Sequence, residues 1–245
     1  MFAEFLNDFF ASFDAWLLGI GASLHEAAGS VFDPVFSFIT LFGEGGFFCI
    51  ALALVLMMIP RTRKVGYTVS AAMLIGLLLT NVTLKPLIAR ERPYDAVELF
   101  RRYWEAVGHG PEGDYSFPSG HTNIVFCAAT AIFLAGKRKY TWLCHIPAVL
   151  VGFSRIYIAV HYPSDVLGGM VTGAISGICG YFIVKAVYVR IEKRKKEKAG
   201  ETAKEITEEK AKEATGEITE ETTEELTGES AEESTGGSAE TVSGH

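Results

Sequence analysis

The sequence predicts an all-α integral membrane protein, a helical bundle of five transmembrane helices preceded by an N-terminal amphipathic helix. Hydrophobic residues make up 49% of the 245 residues. Five stretches contain no Asp, Glu, Lys or Arg, and several approach the ~20 residues that a helix needs to cross a bilayer. These stretches are 45–60, 65–84, 115–136, 140–154 and 166–184. Basic residues, moreover, cluster after alternate stretches, as expected for a chain that crosses a membrane repeatedly.

Residues 1–25 form the predicted amphipathic helix. Large apolar side chains such as Phe5, Phe9 and Trp16 recur at helical spacing, with polar residues on the opposite side. Asp8 and Asp14 make a membrane crossing costly. The pattern therefore favours a helix that lies in the membrane interface, and a sixth span packed against the others is the alternative.

The five spans are predicted from the apolar windows and the loops between them. Their approximate bounds are 38–59, 66–84, 119–136, 142–159 and 164–187. Small residues recur in the last span and allow close helix packing in lipid; they are Gly168, Gly169, Gly173, Gly177 and Gly180. Cysteines occur only within apolar stretches and form no CxxC pattern, which predicts buried free thiols and no zinc site or disulfide framework.

Basic loops predict the orientation of the chain in the membrane. They follow the first, third and fifth spans and contain Arg61, Arg63 and Lys64, then Lys137, Arg138 and Lys139, then Lys193 to Lys196 and Lys198. The positive-inside rule makes this side cytoplasmic. Segments 85–118 and 155–165 then face outward. Segment 85–118 also contains five Lys and Arg residues, which opposes this assignment unless these cations bind something.

Residues 191–245 form a predicted tail of different composition. They contain 8 Lys and Arg against 16 Asp and Glu, whereas 1–190 contain 14 against 13, so the net negative charge belongs to the tail. The basic cluster at its start suits anionic lipid headgroups better than nucleic acid, and no nucleic-acid partner is expected. Beyond Gly200 the low complexity predicts disorder, with some helix around 201–227 as the alternative. Residues 1–190 form the membrane-embedded domain.

A polar stretch from Ser154 to Asp165 separates the last two apolar runs. If a helix begins near Pro163, a favourable first-turn residue, Asp165 lies one turn from His161 and can accept its ring proton. The carboxylate would fix the tautomer of the imidazole and leave its other nitrogen free as a base or nucleophile.

Two further polar stretches are expected at the same membrane surface. Lys85 and Arg92 are seven residues apart, which places both on one side of a helix. Ser119 and Gly120 open the third span, where backbone N–H groups at a helix start can bind an anion. With Arg155 these residues suit a phosphoryl group, which carries about −1.5 to −2 charge and three strong acceptor oxygens.

Two histidines complete this predicted site. One could attack phosphorus, while the other protonates the departing oxygen and then activates water. The residues alone do not decide between His161 and His121, and only the spacing to Asp165 favours His161 as the nucleophile.

Three motifs, Lys-x6-Arg-Pro, Pro-Ser-Gly-His and Ser-Arg-x5-His-x3-Asp, resemble the signature of the type 2 phosphatidic acid phosphatase family, which also includes vanadium haloperoxidases. They are intact and in order, and the resemblance covers roughly residues 36–187. It implies a membrane phosphatase that needs no metal or cofactor and works through a phosphohistidine. When the roles of the family's motif residues are carried over to this sequence, phosphate is held by Lys85, Arg92, Ser119, Gly120 and Arg155. His121 is then the general acid and base, His161 is the nucleophile, and Asp165 orients His161.

The resemblance implies an amphiphilic phosphate or pyrophosphate ester, presented from the bilayer of the cell membrane. The basic loops predict that the site is extracytoplasmic and that the C-terminal tail is cytoplasmic. Undecaprenyl pyrophosphate is the favoured substrate, and its hydrolysis would recycle the cell-wall lipid carrier. Phosphatidylglycerophosphate or phosphatidic acid is the alternative. A channel, transporter or scaffold and a vanadate-dependent oxidase are the competing classes.

The roles of two further sets of residues stay open. Glu44 either lines the pocket or caps a helix end, with neither favoured. Arg90, Arg101 and Arg102 could attract a lipid headgroup, but the sequence favours their being surface charges.

Overall fold

The computed structural model describes residues 1–136 and 139–232, and within those ranges it is helical without strands, which confirms the all-α prediction. Its helices are α1 (Phe2–Thr40), α2 (Phe47–Met58), α3 (Arg63–Leu77), α4 (Lys85–Ile88), α5 (Pro93–Ala96), α6 (Glu98–Val107), α7 (Gly120–Ala135), α8 (His145–Tyr157) and α9 (Pro163–Glu232). Short 3₁₀ turns cover Leu41–Gly46 and Thr141–Cys144, and a wider π-type turn covers Leu78–Leu84.

Three segments of the described chain are long and apolar enough to cross a membrane: Phe2–Met58, Arg63–Ala96 and Pro163–Lys204. Helix α7 is shorter but apolar, and α7 and α8 coincide with the third and fourth predicted spans. The protein is therefore a helical membrane protein, and the number of five spans stays a prediction.

The first predicted span, 38–59, is wrong at its start. Helix α1 ends at Thr40, and α2 begins only at Phe47. Between them Glu44 is extended, with ψ of 119°, while Gly45 and Gly46 have φ of 53° and 70°. Glycine adopts this left-handed conformation without steric penalty, so the turn replaces a helix that hydrophobicity alone would continue.

Helix α1 follows one end of α8. In its first half Leu18 is buried in a cluster with Ile156. In its second half Phe36 packs against Tyr157, with ring centroids 4.4 Å apart, and Thr40 accepts a hydrogen bond from Arg155. Both halves contact the last turn of α8 because α1 bends at Ala28, where φ and ψ are −159° and 42°. The interfacial interpretation of residues 1–25 stays a prediction.

Helix α7 lies in the core between α3, α8 and α9. Two glycines of α9 allow its backbone to approach α7 closely. A Cβ atom on Gly173 would lie 2.6 Å from the carbonyl oxygen of Asn123, and one on Gly177 would lie 2.5 Å from Cβ of Thr130. This close contact agrees with the small-residue packing expected of the last span.

The four cysteines are free, as predicted, but they are not all buried. Cys49 and Cys127 are buried, Cys144 is half-buried and Cys179 is exposed. The prediction of burial is therefore wrong for Cys179, whose side chain points away from the bundle.

The chain divides into two units, Met1–Val187 and Tyr188–His245. Helix α9 continues to Glu232, in line with the helical alternative for 201–227. The disorder expected for 191–245 stays a prediction, and its last residues, 233–245, lie outside the described part of the chain, as do Lys137 and Arg138 of the predicted basic loop.

Candidate active site

One end of the bundle contains a cavity of about 280 Å³. Five of the eight predicted site residues line it: Lys85, Arg92, Gly120, His121 and His161. They come from three separate stretches of the chain, as the sequence predicts. The other three residues, Ser119, Arg155 and Asp165, are fully buried beside this cavity.

Ser119 and Gly120 lie at the start of α7. The Ser119 hydroxyl accepts a hydrogen bond from Thr122 Oγ1 at 3.0 Å and faces the Thr122 N–H at 3.5 Å, so it acts as the N-cap. Gly120 lines the cavity, and the first N–H groups of a helix have no intrahelical acceptor. Gly120 thus presents backbone to a ligand, while a direct phosphate contact by Ser119 stays a prediction.

Lys85 and Arg92 are buried and point to one carboxylate. Both form ion pairs with the side chain of Asp114, and Arg92 Nε also donates to the Asp114 carbonyl at 2.9 Å. Arg92 Nη1 donates to the carbonyl of Val160 at 2.8 Å. The predicted pairing of Lys85 and Arg92 on one side is thus observed, but the intervening chain is not one continuous helix.

Arg155 is buried in the last turn of α8. Its Nη1 donates to Thr40 Oγ1 at 2.8 Å, and its Nη2 pairs with Glu112. Its Nε is buried and has no hydrogen-bond partner among the described residues. A buried N–H without an acceptor is destabilising, which makes this edge of the guanidinium suited to a ligand oxygen.

Glu112 and Asp114 are functional candidates that sequence reasoning missed. They lie in the loop between α6 and α7 and occupy the positions on the three cations that an anionic ligand would take. Burial acts to raise the pKa of each carboxyl, but the neighbouring cations outweigh it and lower both pKa values. Their only signal in the sequence is a pair of acidic residues shortly before the Pro-Ser-Gly-His motif.

The imidazole of His161 is buried between a cation and a carboxylate. Its Nε2 lies 3.4 Å from Arg92 Nη1, and its Nδ1 lies 3.4 Å from Ser116 Oγ. A guanidinium can only donate, so Nε2 carries the lone pair and Nδ1 carries the proton. Burial and then the charges of Arg92, Arg155 and Lys85 lower the pKa of His161 well below its usual value, which keeps the ring neutral.

Asp165 lies one turn from His161, and α9 begins at Pro163, as predicted. The distance between His161 Nδ1 and Asp165 Oδ2 is 3.6 Å, longer than a hydrogen bond. Ser116 lies beside both groups and donates to Asp165 Oδ2 at 2.5 Å. The carboxylate therefore faces the protonated nitrogen with the Ser116 hydroxyl between them, a contribution that the sequence interpretation did not assign.

The interpretation of Arg90 as a surface charge is wrong. Arg90 is 1% exposed, and its Nη1 donates to Asp165 Oδ1 at 2.6 Å. Ala89, immediately before it, has a left-handed φ of 51°, which ends α4 and turns the chain inward. Arg101 and Arg102 are exposed, as expected.

Glu44 lines the cavity, the first of its two open roles. Its Oε2 lies 3.0 Å from Nε2 of His121. A carboxylate oxygen at this distance can accept a hydrogen bond from the ring and so orients His121 in the cavity. The second histidine of the cavity thus has its own acidic partner, distinct from the partner of His161.

No group of three or more His, Cys, Asp or Glu arranged to hold a metal ion occurs in residues 1–136 and 139–232. The donors that converge on the cavity are instead a lysine, arginines and backbone N–H groups, which match the oxygens of a phosphoryl group. Fold and site together define a class: a helical membrane protein with a cationic cavity whose donors match a phosphoryl group.

The family follows from comparison with known proteins. Residues 64–190, more than half of the chain, match the model of the PAP2 superfamily. The chain belongs to this superfamily, which confirms the resemblance to type 2 phosphatidic acid phosphatases that the three motifs indicate.

Several named relatives are phosphatases of lipids. The undecaprenyl-diphosphatase of Sulfolobus acidocaldarius is 35% identical over 126 residues, which are 51% of this chain and 58% of that protein. Undecaprenyl-diphosphatase BcrC of Bacillus subtilis is 35% identical over 161 residues, 64% of this chain and 76% of that protein. Phosphatidylglycerophosphatase B of Bacillus subtilis is 35% identical over 130 residues, 49% of this chain and 56% of that protein.

Two solved structures share the fold. The crystal structure of Aquifex aeolicus LpxE superimposes with a TM-score of 0.54 at 26% identity and covers 66% of this chain and 93% of that one. The transmembrane PAP2-type phosphatidylglycerolphosphate phosphatase of Bacillus subtilis gives a TM-score of 0.50 at 24% identity, covering 76% and 98%. The likeness agrees with a multi-pass membrane protein.

Proposed function

We propose that this protein hydrolyses the phosphate or pyrophosphate group of a membrane lipid through a phosphohistidine at His161. The observation that carries the proposal is the geometry of that ring. Its unprotonated Nε2 lies at a cavity that is also lined by Lys85 and Arg92, while its protonated Nδ1 faces Ser116 and Asp165. A neutral imidazole whose lone pair faces a cavity with these cations is suited to attack an anionic phosphorus centre.

The reaction begins when the substrate phosphoryl group replaces Asp114 and Glu112 on the three cations. Nε2 of His161 then attacks phosphorus and forms a P–N bond as the P–O bond to the lipid breaks. His121 donates its proton to the departing oxygen. In the second step His121 takes a proton from water, the resulting hydroxide attacks phosphorus, the P–N bond breaks and inorganic phosphate leaves. Lys85, Arg92 and Arg155 stabilise the negative charge on the phosphoryl oxygens in both steps.

A lipid substrate is supported by an apolar groove next to the cavity. The groove, of about 270 Å³, lies between α2 and α3 and is lined by apolar side chains such as Ile50, Leu54 and Leu74. It shares Leu77 and Ile124 with the cavity that contains the histidines. A hydrocarbon chain in this groove would place its phosphate at the cations, because the polar and apolar spaces adjoin.

The favoured substrate is undecaprenyl pyrophosphate, since two of the relatives described above carry the name undecaprenyl-diphosphatase. Phosphatidylglycerophosphate or phosphatidic acid is the alternative, and a phosphatidylglycerophosphatase is also among those relatives. For orientation we propose an extracytoplasmic site and a cytoplasmic tail, supported by the basic residues after alternate spans.

The test is phosphate release by purified, detergent-solubilised protein from undecaprenyl pyrophosphate, phosphatidylglycerophosphate and phosphatidic acid. Wild type should release phosphate and His161→Ala should not, while His145→Ala, on the far end of α8, should match wild type. Absence of release from every lipid by wild type would support the channel, transporter or scaffold class. Halide oxidation on addition of vanadate would support the oxidase.

A further inference from the structure

The guanidinium of Arg90 connects the first helix of the chain to the catalytic carboxylate. Its Nη1 donates to Asp165 Oδ1 at 2.6 Å and to Ser164 Oγ at 2.7 Å. Its Nη2 donates to Asp14 Oδ2 at 2.9 Å, and its Nε donates to Asn7 Oδ1 at 2.8 Å. All three of its nitrogens are therefore used, and two of the acceptors, Asn7 and Asp14, belong to α1.

Asp14 is buried where α1 faces the bundle and contacts the start of α9. Its Oδ1 accepts from the N–H of Ser164 at 2.8 Å, and its Oδ2 accepts from the hydroxyl of Ser164 at 2.7 Å. The N–H groups in the first turn of a helix lack intrahelical acceptors, and a carboxylate there is stabilising. Asp14 thus caps α9 one residue before Asp165.

The two oxygens of Asp165 have separate partners. Oδ1 accepts from Arg90, whereas Oδ2 accepts from Ser116 and from the N–H of Tyr162 and is the oxygen nearest to His161. The guanidinium of Arg90 also stacks on the Tyr162 ring at 4.0 Å, which restricts its orientation. Without Arg90, Oδ1 would be a buried charge without a donor, and the carboxylate would rotate to find one.

We propose that Arg90 and Asp14 are positioning residues that hold the Asp165 carboxylate against His161, so that α1 is part of the active site. The inference rests on the phosphatase function proposed above. Arg90 pairs with Asp14 and Asp165, whereas Lys85, Arg92 and Arg155 pair with Asp114 and Glu112. Arg90 and Asp14 therefore act on the nucleophile through Asp165 and leave anion binding to the other three cations.

A positioning role and a purely structural role of Asp14 and Arg90 predict different measurements. A change at Asp14 or Arg90 should lower kcat and the rate at which the phosphohistidine forms. The Kd of inorganic phosphate should stay near that of wild type, because Lys85, Arg92 and Arg155 keep their partners. A role confined to stability would instead lower the Tm and the amount of active protein, without changing the kcat of the molecules that remain folded.

The experiment uses the full chain in detergent with phosphate release, rapid-quench trapping of phosphohistidine, calorimetric titration with inorganic phosphate and thermal unfolding. Asp14→Asn keeps the shape of the side chain and should lower kcat by about tenfold to a hundredfold, the range expected for misplacement of a reacting group by about 1 Å. Arg90→Gln should lower it at least as much. Arg90→Lys should restore part of the activity, because an ammonium can still donate to Asp165 but lacks the planar geometry of a guanidinium.

Exposed residues supply matched controls. Asp8→Asn makes the same chemical change at an exposed position of α1, and Arg102→Gln does so at an exposed position of α6. Both should keep kcat within about twofold of wild type.

Three outcomes would overturn the inference. The first is folded Asp14→Asn protein with kcat within about twofold of wild type, whether or not its Tm is lowered. The second is an equal loss of kcat and of affinity for inorganic phosphate in folded Arg90→Lys protein, which indicates general damage to the site. The third is wild type that releases no phosphate, which overturns the proposed function as well. If wild type is active, His161→Ala is inactive and Asp14→Asn is fully active, this inference is overturned but the proposed function is not.

Discussion

Asp114 gives the sharpest prediction, because its carboxylate holds two of the cations that are proposed to bind phosphate. Lys85 and Arg92 both form ion pairs with it. An anionic ligand must replace this carboxylate before the cations can bind it. Asp114→Asn keeps the size of the side chain but removes the negative charge, and we therefore expect it to tighten the binding of vanadate and inorganic phosphate.

The size of the expected change in the Ki of vanadate follows from the exposure of Lys85, Arg92 and Asp114. The side chains of Lys85 and Arg92 are 6% and 3% exposed, but that of Asp114 is 45% exposed, so water screens both ion pairs. Solvent-screened pairs contribute roughly 0.5–1 kcal/mol each, and two of them give about 1–2 kcal/mol. Since 1.4 kcal/mol is a factor of ten in an equilibrium constant, the Ki of vanadate should fall by about 5- to 30-fold.

The assay is vanadate inhibition of phosphate release by the full-length protein. Vanadate mimics pentacoordinate phosphorus, so it reports on the site that the three cations stabilise. Asp95→Asn is the matched control, because Asp95 is an exposed carboxylate that pairs with the exposed Arg101 outside the cavity. Calorimetric titration with inorganic phosphate supplies a measurement that does not depend on turnover.

An unchanged or higher Ki of vanadate in Asp114→Asn protein, with Asp95→Asn matching wild type, would refute competition between Asp114 and the anion. That result would mean that Asp114 supports ligand binding instead of competing with the ligand. Indifference of wild type to vanadate would contradict the anion site itself, since buried cations of this number should bind such an oxyanion.

Three further predictions concern His161, His121 and the metal-free mechanism. Because His161 resists protonation in the folded state while the unfolded chain takes up a proton near pH ~6.5, folding stability should fall below that pH. Thermal unfolding in detergent at decreasing pH measures this, and His161→Ala should reduce the dependence. Glu44→Gln removes the carboxylate beside His121 and should lower kcat by about tenfold or more. The control Glu105→Gln, on an exposed part of α6, should not lower kcat. Equal kcat values for the two variants would exclude a role for Glu44. Treatment with EDTA should leave phosphate release intact, and a full loss that a divalent ion restores would contradict the metal-free mechanism.

The membrane class and most of the site were predictable because both depend on local patterns. Uncharged windows indicate apolar helices, and alternation of those helices brings the motif residues to one end of the bundle. His161 and Asp165 could be paired from sequence because a helix start at Pro163 fixes their separation. The predicted direct contact between them was less accurate, since Ser116 arrives from a loop whose path no periodicity describes.

The residues that were missed depend on backbone turns. Arg90 resembles any other arginine of a basic loop, and only the left-handed residue Ala89 directs it inward to Asp165. Hydrophobicity likewise could not show that Gly45 and Gly46 interrupt the first predicted span. That interruption brings Glu44 to His121 and so contributes to the chemistry of the site.

The loop that contains Glu112 and Asp114 competes with the ligand, and charge balance explains why the site contains it. Lys85, Arg92 and Arg155 are buried close together, and such cations without counter-charges would strongly destabilise the fold. Glu112 and Asp114 supply the counter-charge in the free protein, and a phosphoryl group would supply it in the complex. Removing the carboxylate of Asp114 should therefore have two effects of opposite sign: lower thermal stability of the free protein and tighter binding of an anion, which in turn restores the stability. Damage to the site would lower thermal stability and anion affinity together. Tm measured with and without saturating phosphate therefore distinguishes an Asp114 that competes with the ligand from one that supports ligand binding.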